Sequence, residues 1–100
     1  MTYKTNEIYT IKVLSGEELI TKVLDENVDT ITVSEPLSIA PNQQGMGLMP
    51  SLFSAEMDKP VTINKSGITM YAITAEQIRV KYIEVTTGIS TPPAKKIVLG

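Results

Sequence analysis

Along most of this chain apolar and polar residues alternate with a period of two, and short polar clusters break the alternation. Ile8 to Leu14, rich in β-branched and aromatic residues, predicts a half-buried strand. Ser15-Gly16-Glu17-Glu18 reads as a turn, with glycine available for positive φ. Leu19 to Leu24 reads as the returning strand, and Asp25-Glu26-Asn27 as the next turn. Thr30-Ile31-Thr32-Val33 opens a third extended segment that resumes at Leu37-Ser38-Ile39-Ala40. Between them Pro36 cannot donate a ladder hydrogen bond, so it marks an edge or a bulge. Residues 41–45 form a loop, and Gly47 to Phe53 is apolar but interrupted by Pro50. Val61-Thr62-Ile63 and Ile68 to Ile73 flank Asn64-Lys65-Ser66-Gly67, which predicts two short strands joined by a tight polar turn.

The pattern then changes. Ile78-Arg79-Val80-Lys81-Tyr82 alternates as a strand would, yet Ile78, Tyr82, Val85 and Ile89 also recur at helical spacing. Thr74-Ala75-Glu76-Gln77 has the form of a capping box, and Gly88 stands where a helix end wants left-handed backbone. These signals predict a helix over 75–87. The tail after it is a Pro-Pro linker with a short apolar end.

About five short strands and one C-terminal helix in 100 residues predict a single, mainly β domain over 1–100. Its core is expected at about 7–89, with 90–100 as the tail. SH3-like, Sm-like and OB barrels all fit this size and pattern. The chain is short for closing a many-stranded barrel, so its open edges must be paired or protected. Another copy of the same chain is the simplest partner, and head-to-tail repetition closes a ring.

Composition narrows the chemistry. The chain is 42% hydrophobic, which excludes wholesale disorder, and its only aromatics are Phe53 and four tyrosines, so aliphatic residues must fill the core. With no cysteine and no histidine, disulfides, thiolates and the commonest general base are absent. Glu17-Glu18 and Asp25-Glu26-Asp29 are turn-borne carboxylates without catalytic or metal-binding spacing, and Gly45-Met46-Gly47 lacks the rest of a dinucleotide fingerprint. No catalytic residue, metal, cofactor or small-molecule substrate is expected. The first thirteen residues do not read as a signal peptide, and no apolar run suits a membrane span, so a cytoplasmic protein is expected. A net charge of −2 gives no global basic field for nucleic acid, so any such binding needs a local patch or many copies making one.

The first hairpin resembles the first motif of the Sm/LSm family of RNA-binding ring proteins, with Leu14, Gly16, Leu19, Val23, Asp25 and Asn27 in similar order. Ile63-Asn64-Lys65-Ser66-Gly67-Ile68 resembles the second motif in spacing, with Asn64-Lys65 in place of the family's Arg-Gly. "SGEELITKV", "GLMPSLF" and "TAEQIRVKYIEVTTGI" look like the small Sm-like proteins of marine bacteriophages, cyanophages in particular, which place the helix after the strands. The resemblance implies an Sm-like open barrel, a homo-oligomeric ring, and RNA or single-stranded DNA as ligand, in the host cytoplasm if phage-encoded. It implies that Lys65 faces a central pore and holds phosphate, that Asn64 and Ser66 orient the ligand, and that Asn27 reads a base beside Asp25. Asp25 stands where the family usually carries a stacking side chain. Each of these residues also suits a plain solvated turn. Met46, Leu48, Met49, Leu52, Phe53 and Met57 fit either a core or an adaptable subunit contact. The competing class is an adaptor of phage assembly that binds another protein through the ring face.

Overall fold

The fold is a computed structural model that describes residues 2–43 and 45–88, without the Asn42 side chain. Six antiparallel strands precede one helix: β1 Ile8–Val13, β2 Glu18–Glu26, β3 Thr30–Asn42, β4 Gly45–Pro50, β5 Val61–Asn64, β6 Ile68–Ile73 and α1 Glu76–Thr87. The sheet runs β4-β3-β2-β1-β6, and β5 pairs separately with β3.

One strand more than expected arises because β3 is long and bent. Its first half pairs with β5, Thr30 to Val33 against Asn64 to Val61, and its second half pairs with β4, beginning at Leu37 opposite Pro50. The bend falls at Glu35, which holds φ at 47°, and at buried Pro36. Opposite it the register with β2 shifts between Ile20 and Lys22, so Pro36 does mark a bulge. The chain leaves β4 here, with the Ser51 N–H donating to the Pro36 carbonyl at 3.0 Å.

The segment 61–71 is not a hairpin. β5 pairs with β3, β6 pairs with β1, and the 3-10 turn Lys65–Gly67 carries the chain between them. In a flat sheet the four strand spacings from β5 to β6 would span about 19 Å, whereas a 3-10 turn of this length advances only about 8 Å. So short a link between the two ends requires the sheet to curl, which makes it a small open barrel.

The curl gives the sheet two apolar faces. Tyr3, Tyr9, Ile11, Val23, Ile31, Val33 and Ile68 form the cluster inside it. Ile8, Ile20, Leu37 and Tyr82 form a second cluster beneath α1, with Ile78 and Ile83 packed against it. Ile8 and Tyr9 are therefore both buried on successive positions of β1, which is why its alternation is incomplete. Burying each such side chain contributes about 1.5–3 kcal/mol. Tyr3 places the segment ahead of β1 in the core as well.

The helix begins at Glu76 and ends where Gly88, at φ 74°, gives the left-handed cap. The capping box does not form. Ala75 is the cap residue and offers no side-chain bond, while the buried Thr74 hydroxyl bonds Thr10 at 3.0 Å across to β1. Tyr82 is the buried face of the helix, Val85 is exposed, and Ile89 with the expected tail lies outside the described residues. Among the described residues no helix is long and apolar enough to cross a membrane.

Candidate nucleic-acid interface

Curling the sheet brings the crossover turn against the turn between β2 and β3. The Lys65 N–H donates to the Asp29 carbonyl at 2.8 Å. The Lys65 ammonium reaches back to the end of β2 and meets Glu26 Oε2 at 2.5 Å, with the two side chains 16% and 18% exposed. The other oxygen of that carboxylate, Oε1, accepts the Tyr3 N–H at 2.8 Å. Lys65 is thus a half-buried, paired cation rather than a free one at a solvated tip. Exposed Asn64 and Ser66 flank it, and the Asn64 side chain makes no cap bond to the 3-10 turn.

Asn27 is exposed in the neighbouring turn, held by its N–H on the Thr30 carbonyl at 2.8 Å and by Nδ2 near the Thr30 hydroxyl at 3.4 Å. Asp25 and Glu26 are not turn residues. They end β2, where exposed Asp25 pairs with Thr32 and Glu26 with Ile31. The structure therefore joins Lys65, Asn64 and Ser66 to the loop of Asn27 through Asp29 and Glu26, and leaves Asp25 on the strand. Any anion that is to contact the Lys65 ammonium must compete with the Glu26 carboxylate.

The Lys65 hydrogen bond, and after it the Tyr3 amide, hold the Glu26 carboxyl below its ordinary value of 4.5. A lowered folded-state value gives stability that is complete above the unfolded value and is lost as pH falls through the folded one. Glu26→Gln is accordingly expected to flatten the acid limb of the stability profile. Urea midpoints taken between about pH 6 and pH 2 measure this, and an unchanged limb in the variant would remove the ion pair from the account.

Sequence reasoning missed the aromatic group beside this pair. Tyr3 packs edge-on to Tyr9 at 5.0 Å and tilted against Tyr71 at 4.3 Å. Tyr9 and Tyr71 come together because β1 pairs with β6, placing Tyr71 opposite Ile11, two residues along from Tyr9. No local pattern encodes that pairing. Burial, chiefly, pushes the Tyr3 phenol up to about 12.

The methionine and phenylalanine segment does not fill the core. Met46, Met49, Leu52, Phe53 and Met57 are exposed, and Phe53 is 79% exposed, while Leu48 alone of the group packs toward the helix cluster. Near it Ser38 donates to the Glu17 carboxylate and meets the Ser51 hydroxyl at 3.0 Å, a polar tie between the first turn and the β3 edge. No family model matches the chain, and no curated protein matches it significantly.

Proposed function

We propose that this chain is a non-catalytic, Sm-like nucleic-acid-binding protein that assembles head to tail into a ring and holds single-stranded RNA or DNA, RNA by preference. The observation that carries the reading is the contact of the crossover turn with the β2–β3 turn, which makes Lys65, Asn64, Ser66 and Asn27 neighbours. Two unlike edges support the assembly. β4 and β6 end the sheet path, and exposed Met46 and Met49 on one and Met70 and Ile73 on the other offer apolar surface there. Different edges pair heterologously, and that kind of contact closes into a ring. A single paired lysine is a weak phosphate site. Repetition around a ring raises its effective concentration and makes it useful.

Native mass spectrometry with and without oligouridylate, at increasing salt, tests both parts. A ring of one stoichiometry is expected, binding the oligomer with a steep loss on added salt, about 0.7 in log–log slope per phosphate neutralised. A chain that stays monomeric across micromolar dilution overturns the assembly and the binding with it. One observation favours a second reading as a protein-binding adaptor: the loop between β4 and β5 exposes three large apolar side chains, Leu52, Phe53 and Met57. A ring that binds neither oligouridylate nor oligoadenylate at low salt selects it.

A further inference from the structure

Residues 2–6 form a strap across the open end of the barrel. Four backbone amides hold it. The Tyr3 N–H donates to Glu26 Oε1 at 2.8 Å, the Lys4 N–H to the Tyr9 hydroxyl oxygen at 2.7 Å, the Thr2 N–H to the Tyr71 hydroxyl oxygen at 3.3 Å, and the Asn6 N–H to the Val23 carbonyl at 2.6 Å. Asn6 turns the chain with φ at 69°, in the left-handed region that favours glycine. The strap delivers one aromatic ring, Tyr3, against Tyr9 and Tyr71, which stand edge-on to each other at 6.0 Å. Tyr3 is only 6% exposed, and its hydroxyl has no hydrogen-bond partner among the described residues. A buried hydroxyl without a partner opposes the closed state.

The geometry points to a nucleobase site that the protein fills with its own Tyr3: when the strap lifts, a base of single-stranded nucleic acid takes the place of the Tyr3 ring on Tyr71, with Tyr9 at its side. This rests on the proposed function and names the subsite that the turns alone do not supply. The chemistry of the slot matches a base at each point. Tyr71 offers π-surface for stacking, which tolerates any base, and Tyr9 meets the same plane edge-on. Glu26 Oε1, which now accepts a backbone N–H, would accept an exocyclic or ring N–H from the base edge. The Lys65 ammonium lies on the other oxygen of the same carboxylate, next to where the phosphate of that nucleotide would pass. The hydroxyls of Tyr9 and Tyr71, which hold the strap, become free to bond the incoming nucleotide. The strap thus mimics the ligand, ring for base and amide for N–H donor.

Two measurements test this on the full chain. The first is amide hydrogen exchange of the wild type with oligouridylate or oligoadenylate up to millimolar concentration. The amides of Tyr3, Lys4 and Asn6 are expected to exchange faster in the presence of oligomer. Unchanged or slower exchange at those amides overturns the inference, whether or not oligomer binds elsewhere. The second compares Tyr3→Ala with the wild type. A site already open binds more tightly by the reciprocal of the open fraction, so a gain on the order of 10-fold is expected, while Tyr3→Phe, which keeps the ring and drops the unpartnered hydroxyl, binds no more tightly than the wild type. A folded Tyr3→Ala that binds no tighter also overturns it, and if that variant does not fold the exchange experiment decides alone. Steep salt-dependent binding with a fully protected strap sinks the slot and leaves the proposed function standing.

Discussion

Tyr82→Ala is expected to remove about 3–5 kcal/mol of stability, and Tyr82→Phe about 1–3 kcal/mol. Tyr82 is 2% exposed and is the one helical residue in the buried set of the second apolar cluster. Its ring joins the helix to Ile8, Ile20 and Leu37. Its hydroxyl reaches the bend of β3, donating to the Ser34 carbonyl at 2.6 Å with the Glu35 carbonyl at 3.1 Å sharing the proton. The same oxygen accepts the Lys22 N–H at 3.3 Å. These groups border the register shift between β2 and β3, where the Thr21 hydroxyl also donates to the Ser34 carbonyl at 2.8 Å, so the phenol and the threonine together tie the bend to β2. Burial pushes that phenol above its ordinary value, so it remains a donor throughout the physiological range. The phenylalanine variant keeps the ring and leaves Thr21 alone to serve the bend, and the alanine variant loses ring and hydroxyl together. For a domain whose whole stability is about 5–15 kcal/mol, the larger loss brings it near unfolding. Urea melts measure both, and a lowered midpoint at constant slope assigns the change to stability. A Tyr82→Phe midpoint equal to the wild type would mean that the hydroxyl does not hold the bend.

The same residue shows what could be read along the chain and what could not. Tyr82 is visible as one position of a helical stripe, and the helix, its left-handed end at Gly88 and the turn at Gly16, where φ is 91°, follow from local rules. The strands are legible because half-buried segments alternate. What Tyr82 touches is not legible, because the β3 bend lies 48 residues away in sequence from its hydroxyl bond to Ser34. The segment 61–71 fails for the same reason. Asn64-Lys65-Ser66-Gly67 suits a hairpin tip and a 3-10 crossover equally, and the choice is made by β3 and β1, which claim its two flanking strands. The capping box failed because Thr10 on β1 takes the Thr74 hydroxyl. At the candidate interface Asn27 and Lys65 are legible as turn residues, but Asp25 belongs to β2 and the partner of the lysine is not legible. Glu26 reads as turn punctuation until β2 is seen to run through it, and only the curl of the sheet brings it to Lys65, 39 positions on.

That pairing gives the second large effect, and it has opposite signs at its two ends. Lys65→Glu is expected to abolish oligonucleotide binding, and Glu26→Gln to tighten it. In the first variant a second carboxylate faces Glu26 where an ammonium stood at 2.5 Å, so the pair becomes repulsive and every subunit of the proposed ring presents negative charge to phosphate. In the second, the ammonium loses the anion that phosphate must otherwise displace, while the carboxamide oxygen can still accept the Tyr3 N–H. In the proposed ring, cost and gain repeat in each subunit and both are multiplied. Stability moves differently from binding. Both single changes break the pair and lower the melting temperature, and the exchange Lys65→Glu with Glu26→Lys restores much of what Lys65→Glu alone loses. Fluorescence anisotropy with oligouridylate, set beside thermal melts of the same four proteins, separates the two effects. If Glu26→Gln binds no more tightly than the wild type while Lys65→Glu only loses stability, Lys65 holds the two turns together and takes no part in gripping a polynucleotide.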